Sequence, residues 1–272
     1  MDDMNDFARL AEALAPWSDH LVYVGGWAHR LHRLHPHAHV PDHAALLTRD
    51  SDIAIDALVP KEGDIKAALF AHGFKEELRG DLRPPEALYT LGDEDAGFYA
   101  EFLTPLVGSG YKRDRTPIGS EPIAGVLAQK IRHLDVLLID PWRVTLDTIN
   151  FDSLAQSMDV RVANPLCFMV QKFQIQERRR AQGKASKDLL YVYDTLQLFG
   201  DQLGAFRENW KTMVAPRLGA AEAQRIVERS RLAFSALNDE LRYAALIAQG
   251  RELDPDEMRR ACQYAFDHIF AI

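Results

Sequence analysis

The sequence contains little cysteine. Only Cys167 and Cys262 occur in 272 residues, far apart and without CxxC spacing. Two isolated thiols provide neither a disulfide framework nor a structural zinc site, because both need closely grouped cysteines. This scarcity is typical of proteins from a reducing compartment, and we expect a cytoplasmic protein.

A basic excess is also missing. The chain has 40 acidic and 32 basic residues, a formal net charge of −8, so no global basic field predicts nucleic-acid binding. Any RNA contact would require a local patch, and the dense basic run comprises Arg178, Arg179, Arg180, Lys184 and Lys187. Such a run either contacts phosphates or forms a solvated helix end, and the sequence leaves both interpretations open.

Long apolar runs are absent. No stretch approaches the roughly 18 apolar residues of a membrane-spanning helix, and the chain begins with the acidic segment MDDMNDFARL where a signal peptide would be basic. We therefore expect a soluble protein without membrane contact.

The most informative stretch is Leu21 to Asp56. It predicts a short buried strand, a tight Gly25-Gly26 turn, a helix from Trp27 and a second strand that opens on Asp50 and Asp52. Side chains on a strand repeat with period two, so both carboxylates should point to one face. Two like charges held so close favour a bound cation. Hard oxygen ligands of this kind suit Mg²⁺ or Mn²⁺, which bind one or two carboxylates together with substrate phosphates.

A third acid lies within a later predicted strand. Glu101 in YAEFLTP is flanked by apolar residues, and a carboxylate there is costly unless it faces solvent or a metal. Asp147 in RVTLDTI is a competing candidate on another predicted strand. The alternative for Asp50 and Asp52 is that they merely cap or solvate an edge strand.

The remaining pattern predicts an α+β protein with a mixed sheet, flanking helices and a mostly helical C-terminal lobe. The boundary falls near Asn164, giving a domain over 1–163 and a helical domain over 164–272 that closes a cleft. Asn164 is the predicted N-cap of the first C-terminal helix, with Pro165 at its first position. The other predicted elements are helices 5–15, 61–72 and 122–133, strands 87–91 and 98–103, a hairpin of 136–139 with 144–149, a helix capped by Ser186, and helical stretches from Asp201, Ala220 and Asn238.

VGGWA followed by TRDSDIAID and then YAEFLTP resembles the DNA polymerase beta-type nucleotidyltransferase superfamily over roughly residues 20–105. Its motif is an apolar strand, Gly-Gly or Gly-Ser, then D-x-D, with a third acid on a later strand. The resemblance implies that Gly25 and Gly26 approach a triphosphate. It also implies a two-metal site held by Asp50, Asp52 and Glu101.

The segment NPLCFMVQKFQIQERRR…KASKDLLYVYDTL is similar to bacterial uncharacterised and abortive-infection toxin-like nucleotidyltransferases. That resemblance implies that Lys172 contacts the triphosphate and that Lys187 and Asp188 line the cleft. Independently, Lys172 emerges from an apolar helix face and needs an anion nearby. A snorkelling lysine and an ordinary first-turn aspartate are the alternatives.

Histidines crowd the connection between the glycine turn and the D-x-D strand, from His29 to His43. Imidazole suits zinc or nickel, but no cysteine or ordered carboxylate partner lies nearby. We interpret the segment as a mobile loop beside the nucleotide entrance.

The sequence predicts a metal-dependent enzyme that transfers a nucleoside monophosphate from an NTP to an acceptor hydroxyl, with release of pyrophosphate. The alternative is a non-catalytic nucleotide-binding or toxin–antitoxin module that uses the helical lobe for protein contact. The acceptor, whether tRNA, a protein side chain or a small molecule, the NTP base and the oligomeric state stay open.

Overall fold

The chain divides into two compact units in the computed structural model. It describes residues 3–56, 63–80, 85–92, 97–111, 119–248 and 250–271. The first unit comprises Met1–Leu34 and Leu47–Ala163, and the second comprises His35–Leu46 and Asn164–Ile272.

The first unit is built on a mixed sheet, which confirms the predicted α+β class. Its order is β3-β4-β5-β2-β1-β9-β8, with β7 pairing both β5 and β6. The nine strands described are β1 (Leu21–Val24), β2 (Asp50–Ile55), β3 (Lys75–Arg79), β4 (Glu86–Leu91), β5 (Phe98–Pro105), β6 (Ser120–Ile123), β7 (Val126–Ile131), β8 (Trp142–Leu146) and β9 (Met158–Val162).

The two central strands connect the regions singled out in the sequence. β2 pairs antiparallel with β1 on one side and parallel with β5 on the other. On the side away from β2, the first half of β5 pairs with β4 and its second half pairs with β7. Three adjacent strands thus carry the candidate residues. The glycine turn directly follows β1, the D-x-D lies at the start of β2, and Glu101 lies within β5.

One face of this sheet packs onto the core. Tyr23 and Ile53 are cross-strand partners within it. Their alternating neighbours, including Asp52, consequently point to the opposite face. The core also takes up residues from the helices α1 (Asp3–Leu14), α2 (Gly25–His32) and α3 (Ile65–Ala71).

The predicted N-terminal helix and the predicted strands at 87–91 and 98–103 are confirmed by α1, β4 and β5. The helix expected over 61–72 is present as α3, and Lys61 and Glu62 lie outside the described residues. Asp64 caps α3 by accepting from the Ala67 backbone N–H at 2.9 Å.

The helix predicted for 122–133 is wrong. This stretch forms the antiparallel pair β6–β7, joined through Ala124 and Gly125, whose φ angles are +47° and +87°. Two successive positive φ values make a tight hairpin turn, and alanine at the first of them gave no sequence signal.

The predicted hairpin of 136–139 with 144–149 is also wrong. Residues Asp135–Leu138 form a 3₁₀ helix, and β8 pairs instead with β9, with Val144 opposite Val160. The apolar run around Val136 and Leu137 is buried as a single turn, so its hydrophobicity reflects burial rather than strand pairing.

The second unit is helical after Asn164, as predicted. The side chain of Asn164 caps its first helix by accepting from the Leu166 backbone N–H at 3.0 Å. Ser186 is not a cap, because the helix concerned begins at Ala185 and Lys184 occupies the N-cap position. The α-helices are α4 (Pro165–Gln174), α5 (Gln176–Ala181), α6 (Ala185–Leu198), α7 (Leu203–Asn209), α8 (Ala215–Leu218), α9 (Ala220–Ala233), α10 (Asp239–Leu246) and α11 (Pro255–Ile269).

The aromatic core of this unit joins distant helices. Phe173 of α4 meets Phe266 of α11 with ring centroids 5.1 Å apart, and Phe266 stacks on Phe234 at 5.8 Å. No helix among the described residues is both long enough and apolar enough to cross a membrane.

The histidine-rich connection is not a loop of the first unit. His29 and His32 are buried in α2, and the His32 ring lies 2.8 Å from the Ala163 carbonyl oxygen. The following residues, 35–46, belong to the helical unit. There His39 donates its backbone N–H to the Leu198 carbonyl at 2.8 Å, and His43 contacts Arg251.

Candidate functional site

Three carboxylates share the sheet face that points away from the core, and we call them the acid face: Asp50, Asp52 and Glu101. In the parallel β2–β5 pair, Asp52 is the partner of Glu101 and Asp50 is the partner of Tyr99. Cross-strand partners project to the same side of a sheet. The register therefore places all three acids and the Tyr99 phenol together.

The glycine turn lies directly against this face. Gly25 has a φ of +63°, and a Cβ there would stand 2.2 Å from Asp52 Oδ2. A Cβ on Gly26 would stand 2.7 Å from Thr48 Cγ2. Any other residue at Gly25 would have to displace the carboxylate, so the close approach of the turn to Asp52 depends on glycine.

The acid face concentrates negative charge. Burial, followed by the charges of Asp52 and Asp50, raises the pKa of Glu101 to about 7. Burial and the three nearby carboxylates raise the pKa of the Tyr99 phenol to about 12. Near Glu101 the described residues supply one long hydrogen bond, from Gln129 Nε2 to Glu101 Oε2 at 3.4 Å. Burial and the mutual repulsion of the acids therefore both favour the protonated form of Glu101.

The kind of side chain on the acid face suits a divalent cation. Within the described ranges no group of three or more His, Cys, Asp or Glu side chains is arranged so that together they could hold a metal ion. Mg²⁺ does not require such a group, because it usually takes one or two carboxylates and completes its shell with water and substrate phosphates. The acid face offers only oxygen donors, with Asp52 and Glu101 opposite each other on neighbouring strands, and this donor set matches that preference.

Asp147 lies elsewhere and has a different local role. Its Oδ1 accepts from the backbone N–H groups of Ile149 and Asn150 at 2.9 and 2.8 Å. These hydrogen bonds, the one from Asn150 foremost, hold the pKa of Asp147 below its ordinary value. The residue caps the turn after β8, which is an edge strand. Of the two candidates for the third acid, the sheet brings Glu101 to Asp52.

Two of the residues predicted in the helical unit, Lys172 and Asp188, belong to a buried ion cluster. Lys172 Nζ lies 3.2 Å from Asp188 Oδ1. Arg179 donates from Nε to Asp188 Oδ2 at 2.6 Å and from Nη2 to Oδ1 at 3.2 Å. The Lys172 ammonium also lies 4.9 Å from the centre of the Phe168 ring and 5.4 Å from that of Tyr191. One carboxylate therefore holds two cations, which leaves the cluster with a net positive charge.

Lys172, Arg179 and Asp188 line a small depression with apolar walls, whose volume of about 10 Å³ is room for about one water molecule. Lys187 stands beside it, with its ammonium 5.6 Å from the centre of the Tyr191 ring. Part of the basic run is engaged in ion pairs, since Arg179 binds Asp188 and Arg180 binds Glu240 at 2.7 Å. The two arginines of these ion pairs are therefore already engaged with carboxylates of the chain.

A family model described as Nucleotidyltransferase matches residues 3–215. The chain belongs to this nucleotidyltransferase family. Searches of curated proteins and of solved structures returned no match. The match spans the sheet with the acid face and extends through the helices that carry Lys172 and Asp188.

Four further residues take part in these clusters without a role there having been assigned from the sequence. Arg179 was noted only as part of the basic run. Thr48 and Tyr99 each stand two positions from a candidate acid, and that spacing was the available signal. Gln129 gave no signal, because its contact is with a residue of another strand. The four are Thr48, Tyr99, Gln129 and Arg179.

Proposed function

We propose that this chain is a metal-dependent nucleotidyltransferase that moves a nucleoside monophosphate from an NTP to an acceptor hydroxyl. The observation that carries the proposal is the register of Asp52 opposite Glu101, with Gly25 against the Asp52 carboxylate. Family membership supports the reaction class. The geometry supports the assignment of residues.

In the proposed reaction the acceptor oxygen forms a bond to the α-phosphorus, and the bond from that phosphorus to the leaving pyrophosphate breaks. The hydroxyl proton passes to Glu101, which stands opposite Asp52 on the acid face. Gly25 and Gly26 let the triphosphate approach the backbone at the start of α2. Catalysis rests on positioning and charge neutralisation.

Asp50, Asp52 and Glu101 would hold Mg²⁺ or Mn²⁺. When bound, the cation offsets the repulsion between these acids and the triphosphate and the charge that develops on the leaving group. This role explains why one sheet face keeps three carboxylates together although they repel one another.

For the helical unit we propose a role in nucleotide binding for Lys172, Lys187 and Asp188. Support comes from the net positive charge of the cluster, in which Lys172 and Arg179 share the single carboxylate of Asp188. Asp188 would act by holding Lys172 and Arg179 in place. Two further points are hypotheses within this proposal. One is that the chain resembles abortive-infection toxin-like nucleotidyltransferases in particular. The other is that the acceptor is a tRNA, a protein side chain or a small molecule.

The decisive experiment is incorporation of label from each of the four α-³²P-labelled NTPs in cell extract. Asp50→Asn combined with Asp52→Asn should abolish incorporation, and Glu101→Gln should reduce it by at least about 10²-fold, because the acids bind the metal and accept the proton. Asp147→Asn is the matched control and should retain full activity. Undiminished labelling by the double variant would exclude the proposed site.

The rival is a non-catalytic module of the same fold. The midpoint of thermal denaturation, measured with Mg²⁺, with NTP and with both, distinguishes the enzyme from the non-catalytic module. A substrate-binding enzyme is stabilised most when both are present, because ligands that bind only the folded state raise its stability. Indifference to both would favour the interaction module.

A further inference from the structure

Thr48 lies where no sequence motif marks a residue, in the connection that leads into β2. Its exposed fraction is 7%, although it stands outside any helix or strand. The Thr48 hydroxyl donates a hydrogen bond to Asp50 Oδ1. A hydroxyl that donates to an ionised carboxylate makes a charge-assisted bond, which is stronger than a bond between neutral groups.

The same side chain packs against the glycine turn. A Cβ placed on Gly26 would stand 2.7 Å from Thr48 Cγ2 and 2.8 Å from both Cβ and Oγ1. Thr48 thus fills the space that the missing side chain of Gly26 leaves, while its hydroxyl reaches Asp50. It connects the turn proposed to hold the triphosphate with a carboxylate proposed to hold the metal.

We propose that Thr48 is a positioning residue that orients Asp50 for metal binding. This inference rests on the proposed function. Asp50 is the first residue of β2 and shares its face with two further carboxylates, so repulsion favours rotation of its side chain away from them. The Thr48 hydroxyl opposes that rotation by fixing Oδ1, which leaves Oδ2 as the oxygen available to a cation.

Two substitutions separate the hydroxyl from the packing. Thr48→Val keeps the branched shape against Gly26 and removes the donor, whereas Thr48→Ser keeps the donor and removes a methyl group. Loss of a group that orients a metal ligand typically weakens metal affinity or activity by about 10–100-fold. We expect that loss in Thr48→Val, and we expect Thr48→Ser to stay within about threefold of the wild type.

The primary readout is Mn²⁺ affinity, measured by calorimetry on the full chain with a non-hydrolysable NTP analogue present. Kinetics provide a second readout. The Mn²⁺ concentration for half-maximal activity should rise in Thr48→Val, while KM for the NTP at saturating Mn²⁺ should stay unchanged. A residue that merely supported the fold would shift both constants or neither.

Thr145 supplies the matched control. Its hydroxyl donates to Asp159 Oδ1 at 2.7 Å, the same kind of bond between β8 and β9 of the same sheet. Thr145→Val should leave Mn²⁺ affinity unchanged. A further check is the Asp50→Asn background, in which Thr48→Val should have no additional effect, because its partner carboxylate is already gone.

The outcomes discriminate between the two proposals. A wild-type chain that binds neither Mn²⁺ nor the analogue overturns the proposed function and, with it, the role of Thr48. A wild type that binds both while Thr48→Val matches it in affinity overturns the role of Thr48 alone. Equal losses in Thr48→Val and Thr48→Ser would do the same, because they would assign the effect to packing.

Discussion

Asp52 and Glu101 stand directly opposite each other across the parallel β2–β5 pair. Two carboxylates in cross-strand positions repel each other, and the half-buried Glu101 takes up a proton more readily as a result. Burial, Asp52 and Asp50 raise its pKa to about 7, compared with an ordinary value of 4.5. The pair therefore links the proposed chemistry to a measurable property of the metal-free protein.

The first prediction concerns stability as a function of pH. The pKa of Glu101 is raised on folding, so the folded state binds the proton more tightly than the unfolded state. Its contribution to the free energy of unfolding is full below about pH 4.5 and is lost as the pH rises through about 7. A shift of this size corresponds to roughly 1–3 kcal/mol.

Urea unfolding of the metal-free protein at pH 5.5 and 8.5 tests this prediction. The wild type should lose more stability between the two pH values than Glu101→Gln does, because glutamine does not titrate. Histidines titrate in both proteins and cancel in the comparison. Equal pH dependence in the two proteins would show that Glu101 ionises normally.

The second prediction concerns Gly25→Ala. The new Cβ would stand 2.2 Å from Asp52 Oδ2 and would also sit at a φ of +63°. We expect a loss of activity of about 10² or more, because a small displacement of a catalytic group is costly. Strain should also lower stability by about 1–2 kcal/mol.

Gly183→Ala is the control for backbone strain. Gly183 has a φ of +68°, and no atom lies within 4 Å of the position that a Cβ would take, so alanine there meets the strain without the clash. Its cost in urea unfolding should resemble the strain component of Gly25→Ala, and its activity should stay normal. Full activity of Gly25→Ala would contradict the prediction, because it would show that displacing the Asp52 carboxylate does not affect the reaction.

The third prediction concerns the buried ion cluster of the helical unit. Asp188 is the shared partner of Lys172 and Arg179, and its side chain is 6% exposed. Asp188→Asn should lower the free energy of unfolding, measured in urea, by about 3–5 kcal/mol, because it leaves buried positive charge uncompensated. Lys172→Met should lower the free energy of unfolding by less, since Asp188 still pairs with Arg179. Asp239→Asn removes a carboxylate that is fully exposed beside Arg242, and the urea midpoint of this control should stay close to that of the wild type.

The fourth prediction concerns the support beneath the glycine turn. Phe7 of α1 stacks on Trp27 of α2, with ring centroids 4.1 Å apart and planes 11° from parallel, and both are fully buried. Phe7→Ala should destabilise the protein by about 3–5 kcal/mol through the cavity it leaves. Phe70→Ala is the matched control, since Phe70 is 46% exposed, and it should cost no more than about 1 kcal/mol. Similar costs for the two variants in urea unfolding would contradict the buried stacking.

The predictions from sequence succeeded where a pattern is local and repeated. Helix α1 and strands β4 and β5 follow directly from apolar periodicity, and the Asn164 cap follows from a residue pair at one chain position. They failed at β6–β7, where the apolar spacing allows a helix and only the Ala124-Gly125 turn, seen in the structure, decides for a hairpin. Local spacing cannot choose between two structures that both bury the same residues.

By itself the sequence determined the residue types of the candidate site: two acids spaced for one strand face, a glycine pair behind a buried strand, and a third acid on a later strand. Only the tertiary structure decided which third acid joins them, because the pairing of β2 with β5 brings Asp52 and Glu101 into register and leaves Asp147 in a turn. Tertiary contacts also gave Thr48 its partner in Asp50, and Arg179 its place beside Asp188. Those relationships depend on how the chain folds back on itself, and strand pairing between distant segments is not encoded in the spacing of either segment alone.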